Sequence, residues 1–507
     1  MPISKMMSTK STRASLAQRT SARRSSGRRS STQDTSTRTS AQSSTHASAQ
    51  STSARRATYR TTRIALAVLA ASALTLTACG GGSDDKADAN SSTSASATSD
   101  LQLPDLHGQK LEVAAVWTGP EQQNFQKVLD EFDKRTGASS TFVPTGDSQS
   151  TFLGTKIEGG APPDVAFLAQ TGVLRQFADK GWLKPLGAEA QAQLSKNFSP
   201  GWQKLGAWDG KQYGVYAKVT NKSLIWYNTS AFENAGATEP KTWADFLTTA
   251  ETVFESGTPP VSIGGADGWT LTDWFENIYL SQAGPQKYDQ LAAHQIKWTD
   301  PTVKTALTTL AQLFGRQELI AGGTSGALAA DFPKSVTQVF TGNPPGAAMV
   351  YEGDFVSAFV SANTTAKVGT DAKVFPFPAV GGGKAPVVSG GDVAVALKNS
   401  EGAQALLTFI ASTDAAKIWA QGGGYLSPNK SLDLSAYPDD VQRDIAKALI
   451  AAGDDFRFDM SDQAPAAFGG TKGEGEWKDL QDFLTNPSDV AGAQAQLESD
   501  AAKAYGS

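Results

Sequence analysis

The only cysteine of this 507-residue chain, Cys79, lies just after an apolar run at residues 64–76. The run is 13 residues long, and four arginines precede it in residues 55–63. It is too short to span a bilayer as a helix, but a charged segment before a short apolar run is typical of an export signal. With no second cysteine, no intramolecular disulfide can form, so the exported part must rely on the burial of apolar surface.

The residues Leu76-Thr77-Ala78-Cys79 resemble the bacterial lipobox, in which the cysteine is lipidated and becomes the new N-terminus. The alternative is a chance cysteine at the end of an ordinary signal peptide. Position, flanking residues and the single cysteine together favour the lipobox. We therefore expect lipid attachment at Cys79, a mature chain of residues 79–507, and an extracytoplasmic location with a lipid anchor in the cell membrane.

The charge of the chain is unevenly divided at this point. Residues 1–78 hold 13 of the 45 Lys and Arg residues but only one of the 50 Asp and Glu residues. Residues 79–507 therefore have a formal net charge of −17. Nucleic-acid binding requires clustered Lys and Arg on the folded part, so we expect no nucleic-acid partner. Only His107 and His294 remain after the leader, which argues against a His-rich metal site. We expect no cofactor and no metal, although carboxylate metal sites stay open.

The length of the exported part predicts two domains, because one compact core rarely organises so many residues. Residues 1–78 are predicted to be a disordered extension plus the lipoprotein signal peptide, and the Gly-, Ser- and Asp-rich residues 79–105 a flexible tether. Residues 106–217 are predicted to form a first α/β lobe that a later crossing segment completes. Residues 218–507 are predicted to form mainly a second α/β lobe with C-terminal helices.

The first lobe reads as alternating strands and helices. Residues 110–117 are β-rich, and after Pro120 four apolar residues recur at helical spacing up to Phe132, with Gly137 as the C-cap. Alternation of this kind predicts a largely parallel sheet covered on both faces. Two strand-like runs, 213–217 and 223–227, then follow each other without a helix, which predicts a crossing between the lobes.

Catalytic signatures are largely missing. The chain has no Gly-x-Ser-x-Gly elbow, no Walker-type phosphate loop and no His-Glu-x-x-His. Glu352 and Asp354 form an acid pair, but their i, i+2 spacing does not fix the separation that glycoside hydrolysis requires. Two alternatives to a binding protein stay open: an exported carbohydrate-active enzyme that uses paired carboxylates, and a cell-surface lipoprotein that binds polysaccharide.

Several segments in a fixed order carry a family resemblance. They are Pro163-Asp164-Val165, KTWADF at 241–246, MVYEGDF at 349–355, SGGDVAVA at 389–396, GYLSPNK at 424–430 and FRFD at 456–459. Over nearly all of residues 110–505 the chain resembles the extracellular solute-binding proteins of bacterial ABC importers, in the carbohydrate-binding group with maltose-, trehalose- and α-glucoside-binding members.

The resemblance implies a two-lobed periplasmic-binding-protein-like α/β fold with a ligand cleft between the lobes. It also implies a carbohydrate ligand, of the α-glucoside oligosaccharide type, and closure about a hinge near Lys218 and Val219. The closed protein would deliver the sugar to ABC permease subunits in the membrane, would act as a monomer and would perform no chemistry.

Sugars pack their C–H faces on aromatic rings and pair their hydroxyls with charged groups, so we sought both residue types at strand ends. Each candidate also has a purely structural alternative: core packing for Trp117 and Trp274, the helix dipole for Glu121, a turn for Asp392 and a surface ion pair for Arg457. The predicted ligand-binding residues are Trp117, Glu121, Asp147 and Gln170 in the first lobe, and Trp269, Trp274, Tyr351, Glu352, Asp354, Asp392 and Arg457 in the second.

Overall fold

A computed structural model of the protein describes residues 101–452 and 455–506. The predicted leader, the lipid-attachment residue Cys79 and most of the predicted tether lie outside the described residues. Within the described part, no helix combines the length and the apolar character needed to cross a membrane.

The described residues contain thirteen strands, several of them only two residues long. In chain order they are β1 (Lys110–Ala115), β2 (Ser139–Pro144), β3 (Val165–Leu168), β4 (Ala207–Trp208), β5 (Lys211–Gln212), β6 (Gly214–Val219), β7 (Leu224–Asn228), β8 (Val261–Ser262), β9 (Met349–Tyr351), β10 (Ala372–Pro376), β11 (Val388–Ser389), β12 (Gly391–Ala396) and β13 (Arg457–Phe458).

Nineteen α-helices of the described part surround these strands. They are α1 (Gly119–Thr136), α2 (Gln149–Glu158), α3 (Thr171–Asp179), α4 (Ala188–Asn197), α5 (Pro200–Leu205), α6 (Thr229–Ala235), α7 (Trp243–Glu255), α8 (Trp269–Ala292), α9 (Pro301–Phe314), α10 (Gly323–Leu328), α11 (Phe332–Phe340), α12 (Val356–Asn363), α13 (Glu401–Ile410), α14 (Thr413–Ala420), α15 (Asp440–Ala452), α16 (Met460–Gln463), α17 (Ala466–Gly469), α18 (Gly475–Thr485) and α19 (Val490–Tyr505).

Helix α1 shows why the local sequence folds as it does. Pro120 occupies its first turn, and its apolar face, which includes Phe125, Leu129 and Phe132, is buried against the first sheet. Gly137 ends the helix at φ 75°, a left-handed conformation that favours glycine, and its N–H bonds the carbonyl of Asp133. The predicted strand, helix and C-cap are confirmed here.

The first sheet has the strand order β2-β1-β3-β12-β6. Strand β1 pairs in parallel with β2 and β3, whereas β12 pairs antiparallel with both β3 and β6. The prediction of a largely parallel sheet is therefore correct only for β1, β2 and β3. Strand β12 runs the other way because it enters this sheet from the second lobe, far along the chain.

The second sheet has the order β10-β7-β9-β8. Strand β7 pairs antiparallel with β9 and β10, and β8 is parallel to β9. The two sheets have separate apolar interiors in part: Val113, Phe125 and Phe167 belong to one buried cluster, and Phe275 and Leu310 to another. The described chain is thus a two-lobed α/β structure.

Three segments cross between the two sheets side by side. Strand β6 ends at Val219 in the first sheet and β7 begins at Leu224 in the second, as the adjacent strand-like runs predicted. The backbone N–H of Lys222 donates to Val388 O at 2.8 Å, and that of Asp459 donates to Ser389 O at 2.9 Å. Residues 220–223, 387–390 and 457–459 are therefore joined by backbone hydrogen bonds, and we call them the crossing segments.

Two parts of the chain pack differently from the predicted domain limits. Helices α13 and α14 lie in residues assigned mainly to the second lobe, yet they pack on β12 and α1 of the first. Leu101 and Leu103 fall within the predicted tether, but they pack against the core of the first lobe. Apolar residues at these positions find buried partners far away in the chain, which local composition does not reveal.

Candidate ligand-binding cleft

A cleft with a cavity volume of about 320 Å³ lies where the crossing segments join the two lobes. Its first-lobe wall comes from residues that directly follow β1, β2 and β3: Trp117, Asp147 and Gln170, with Glu121 from the first turn of α1. The carboxyl ends of these parallel strands meet at one edge, so the loops after them converge on the same space.

The floor of the cleft is charged. Lys218 Nζ lies 2.7 Å from Glu121 Oε1 and 3.4 Å from Asp392 Oδ2. Trp117 Nε1 also donates to Asp392 Oδ2, at 3.2 Å. Asp392 was predicted as a second-lobe residue but lies on β12 in the first sheet. Lysine, tryptophan and two carboxylates are thus fixed as one group on the first-lobe side.

A second lysine, Lys222, lies four residues further along the chain, on the crossing segment that follows β6. Its Nζ lies 2.5 Å from Asp459 Oδ2, 3.3 Å from Asp273 Oδ1 and 3.7 Å from Asp462 Oδ2. The ammonium also lies 5.5 Å from the centroid of the Trp269 ring, within the range of a cation–π contact. Lys222 therefore links the third crossing segment to α8 and to the aromatic wall of the cleft.

Burial and neighbouring charges together raise the pKa values of Lys218, Glu121 and Asp462. Burial alone lowers the pKa of Lys218, but the carboxylates of Glu121 and Asp392 outweigh it and raise that pKa above its usual value. For Glu121, burial raises the pKa more than Lys218 lowers it. For Asp462, burial and then the nearby Asp459 raise the pKa well above its usual range.

The second-lobe wall is aromatic. Trp269 at the start of α8, Phe332 at the start of α11 and Phe355 just before α12 line the cleft, together with Phe359 and Trp477. The Trp269 ring lies 5.7 Å from that of Phe332 and 6.2 Å from that of Phe355. The second lobe thus adds most of the aromatic rings of the cleft, together with the carboxylates of Asp267 and Asp331.

One ion pair joins the lobes at the edge of the cleft. Lys472 Nζ lies 3.1 Å from Asp147 Oδ2 in the first lobe and 3.0 Å from Asp267 Oδ1 in the second. Burial, and then the negative charge of Asp267, raises the pKa of Asp147. Lys472 thus offsets the repulsion that arises where two carboxylates from different lobes meet.

The structure brings six of the eleven predicted ligand residues to the cleft: Trp117, Glu121, Asp147, Gln170, Trp269 and Asp392. Trp117 is only 3% exposed and packs against Phe125 and Trp419, so little of its ring face is open to a ligand. Trp269 is more exposed and is the better stacking surface.

The other five predicted residues do not line the cleft. Trp274 packs in the second-lobe core, with its ring centroid 4.5 Å from that of Tyr351. Tyr351 donates its hydroxyl to Lys222 O at 2.7 Å and accepts from Asn277. Tyr351 therefore fixes the crossing segment at Lys222, and Trp274 packs against Tyr351.

The acidic pair after β9 is also buried. Asp354 Oδ1 accepts from the backbone N–H of Asn221 at 2.8 Å, and burial raises the pKa of Asp354 to about 7. Glu352 is 1% exposed, and burial raises its pKa well above the usual range. Arg457 pairs with Asp289 on α8, with 2.7 Å between Nε and Oδ1. Asp354 therefore fixes the crossing segment at Asn221, whereas Glu352 and Arg457 lie outside the lining of the cleft.

Sequence reasoning missed several residues that line the cleft. The principal ones are Lys222, Asp267, Phe332, Phe355, Asp462 and Trp477. The loop Gly264-Gly265-Ala266-Asp267-Gly268 follows β8, and this position could have identified Asp267. Phe332 is the first residue of α11 and Phe355 directly precedes α12, and neither position carries a comparable signal. Among the described residues, no group of three or more His, Cys, Asp or Glu side chains is arranged to hold a metal ion.

Comparison with known proteins gives a consistent result. Residues 117–417 match a family described as bacterial extracellular solute-binding protein. The chain is 31% identical to the osmoprotective compounds-binding protein GgtB of Synechocystis sp., over 76% of this chain and 91% of that protein. It is 30% identical to the alpha-glucosides-binding periplasmic protein AglE of Rhizobium meliloti, over 78% and 88% of the two chains.

Solved structures share the architecture at lower identity. The bacterial solute receptor AcbH superposes with a TM-score of 0.67 at 20% identity, covering 78% of this chain and 99% of that one. The maltose-bound MalE3 of T. maritima gives a TM-score of 0.63 at 16% identity, covering 77% and 98%. The predicted two-lobed fold is confirmed by these matches.

Proposed function

The chain belongs to the bacterial extracellular solute-binding proteins, and from this premise we propose that it is the carbohydrate receptor of an ABC importer. The observation that carries the proposal is the cleft itself, which is lined by charged side chains from both lobes and by aromatic rings that come mainly from the second lobe. A solute that contacts both walls favours the closed arrangement of the lobes, which the membrane permease then receives.

The chemistry of a sugar suits these two walls. The C–H faces of a pyranose pack on aromatic rings, and Trp269 is the ring that we assign to this contact. Hydroxyl groups pair best with charged or strongly polar partners, and Glu121, Gln170 and Asp392 supply these on the opposite side. That all six predicted residues in the cleft contact the sugar is part of this proposal: Trp117, Glu121, Asp147, Gln170, Trp269 and Asp392.

The size of the cavity and the names of the relatives narrow the ligand. A volume of about 320 Å³ is near the lower end of the roughly 300–1,000 Å³ range of small-molecule sites. AglE is named for alpha-glucosides, and GgtB for osmoprotective compounds. We assign a short α-glucoside to this chain, in preference to a long glucan.

The proposed receptor performs no chemistry on its ligand. Glu352 and Asp354, the acid pair that an enzymatic alternative would use, are buried outside the cleft. Lys218 and Trp117 engage the cleft carboxylates Glu121 and Asp392. Recovery of unmodified sugar after binding is the test of this part.

The anchor and the partners complete the proposal. Cys79 would carry the lipid, and the polar residues between it and the folded part would let the receptor move away from the membrane surface. The permease subunits would meet the closed receptor as a monomer. Mass spectrometry of the purified full-length product tests the lipid: a diacylglyceryl group on Cys79 supports it, and a peptide with an unmodified Cys79 contradicts it.

The sugar assignment is tested by calorimetric titration of the full-length protein with maltose, trehalose, sucrose and, as a control, unrelated amino acids. We expect saturable 1:1 binding of one sugar, and product analysis should recover it unchanged. Trp269→Leu should weaken that binding about 10- to 100-fold, because it removes the stacking surface. Trp208→Leu changes a partly exposed tryptophan outside the cleft and should leave affinity unchanged.

Either of two results would overturn the assignment. Turnover of the sugar would move the function to an enzyme. Absence of binding to every sugar, by a protein whose unfolding is cooperative, would remove carbohydrate as the ligand class.

A further inference from the structure

Building on the proposed function, we propose that the cleft selects by charge: it rejects sugars that carry a carboxylate or phosphate and accepts sugars that carry an ammonium group. Two observations support this selectivity: carboxylates outnumber cations in the lining of the cleft, and the lysines there already contact protein carboxylates. Nothing in the sequence resemblance distinguishes neutral, acidic and basic sugars.

Carboxylates outnumber cations on the cleft surface. Among the described residues that line it, the cations are two lysines, and no arginine or histidine is present. The carboxylates that line the same surface are Glu121, Asp147, Asp267, Asp331, Asp392 and Asp462. An anionic ligand is normally held by arginine forks, free lysines or helix N-termini, so this lining lacks the usual side-chain partners of an anion.

The available cations are committed to protein carboxylates. Lys218 contacts Glu121 and Asp392, and Lys222 contacts Asp273 and Asp459. Lys472 at the edge of the cleft is shared by Asp147 and Asp267. Each lysine therefore faces at least two carboxylates, and an incoming anion would have to compete with both.

Asp462 is the carboxylate that we single out. It lies on α16, directly after the third crossing segment, and its side chain is 10% exposed at the floor of the cleft. Its Oδ2 is 3.7 Å from Lys222 Nζ, beyond hydrogen-bond distance, whereas Asp459 holds that ammonium at 2.5 Å. Among the cleft carboxylates that have a lysine within 4 Å, Asp462 is therefore the least closely paired.

The protonation of the carboxylates is consistent with this crowding. Burial and the nearby Asp459 raise the pKa of Asp462, and burial likewise raises that of Glu121. A ligand ammonium would favour the ionised carboxylates and so release protons on binding, whereas a ligand carboxylate would promote proton uptake. The heat of binding should accordingly depend on the ionisation enthalpy of the buffer for charged ligands.

The test compares three sugars of nearly equal shape that differ in charge at one position. For maltose, trehalose and sucrose in turn, the primary alcohol at C6 of a glucose unit is kept, oxidised to the carboxylate or replaced by an aminomethyl group. For the sugar that binds, we expect the uronate to bind at least about tenfold more weakly than the parent. The amine should bind at least as tightly as the parent, and the gap between amine and uronate should narrow at high salt.

A matched pair of variants locates the effect. Asp462→Asn keeps the shape and removes the charge, so it should reduce the discrimination against the uronate at least about threefold. Asp482→Asn removes an exposed carboxylate on α18, outside the cleft, and should leave the discrimination unchanged. If Asp462→Asn does not fold, the salt dependence of the affinity gap between amine and uronate, measured on the wild-type protein, still tests charge selection.

The possible outcomes distinguish a failure of charge selection from a failure of the proposed sugar-receptor function. If a neutral sugar binds and its uronate binds equally well, or if salt does not change the gap, charge selection is overturned while the sugar receptor stands. If no neutral sugar binds but a uronate does, charge selection and the assigned ligand class both fail.

Discussion

Lys218 on β6 and Lys222 on the crossing segment that follows it lie four residues apart, but their surroundings differ. Lys218 contacts two carboxylates on the first-lobe side, and Glu121 there keeps 15% of its side chain exposed in the cleft. Lys222 contacts Asp273 and Asp459, whose side chains are completely buried. The Lys218 group thus includes a carboxylate that water in the cleft reaches, whereas the two nearest carboxylates of Lys222 are fully enclosed.

Further buried acids lie next to the carboxylates around Lys222, and the buried Asp354 lies near Lys218. Glu276 on α8 accepts from the backbone N–H groups of Met460 and Ser461, and Glu476 on α18 is buried nearby. Burial and neighbouring carboxylates raise the pKa of Glu276 and of Glu476 well above the usual range. For Asp459, Lys222 and hydrogen bonds overcome burial and lower the pKa.

The difference indicates that the two sides have different roles, one in ligand recognition and one in stability. The first-lobe side presents balanced, partly solvated charges to the ligand. On the second-lobe side, Asp459 binds protons less strongly than in the unfolded chain, whereas Asp273, Glu276 and Glu476 bind them more strongly. Stability should therefore depend on Lys222 and on pH, and ligand recognition on the charges that reach the cleft.

The largest expected effect is on the free energy of unfolding when Lys222 is replaced. Lys222→Met leaves Asp459 without its buried cation and should cost about 3–5 kcal/mol. Lys218→Met should cost less, because Glu121 can be solvated from the cleft. Denaturant-induced unfolding of the full-length protein measures both. A larger loss for Lys218→Met than for Lys222→Met would reverse the comparison.

The next effect is on the pH dependence of stability. The folded-state pKa of Asp354 is about 7, above that of an unfolded Asp, so the folded state binds the proton more tightly. Its contribution is complete below about pH 4 and is lost as pH rises through 7, at about 1.4 kcal/mol per pKa unit. We expect the free energy of unfolding to be lower at pH 8 than at pH 5 by about 2–4 kcal/mol.

A variant assigns this loss to its source. Asp354→Asn retains an oxygen for the Asn221 N–H but cannot titrate, so it should flatten the pH profile. Asp482→Asn, an exposed change, should not. A wild-type protein that gains stability from pH 5 to pH 8 would show that buried carboxyl groups do not dominate its proton linkage.

The smallest effect concerns the ion pair at the edge of the cleft. Lys472 is 42% exposed, so its bridge between Asp147 and Asp267 should contribute only about 0.5–1 kcal/mol to closure. Lys472→Gln should weaken sugar binding by no more than about fivefold, and mainly at low salt. Lys478→Gln, whose partner Asp482 is on the same helix, is the control and should bind normally. If Lys472→Gln and Lys478→Gln bind the sugar with equal affinity, the contacts of Lys472 with Asp147 and Asp267 do not contribute to closure.

The sequence located the first-lobe wall better than the second-lobe wall, for a physical reason. Trp117, Asp147 and Gln170 follow parallel strands directly, so the rule for strand ends places them correctly. In the second lobe, Tyr351 is the last residue of β9 and Asp354 follows it, but both side chains face inward and contact the crossing segment. Phe332, at the start of α11, and Phe355, just before α12, line the cleft instead.

Long-range pairing explains the remaining gaps. The contact between Lys222 and Asp459 joins residues 237 positions apart, and no local pattern marks it. Strand β12 likewise enters the first sheet from a distant part of the chain, so its direction and the placement of Asp392 could not be read locally. Alternation and apolar spacing predict elements, whereas the partners of crossing segments depend on the complete fold.

A crystal structure of the protein with its tightest-binding sugar tests the central claim most directly. We predict one sugar between the lobes, stacked on Trp269 and within hydrogen-bond distance of at least one of Glu121, Gln170 and Asp392. A sugar that contacts only one lobe, or that occupies another surface of the protein, would contradict the account.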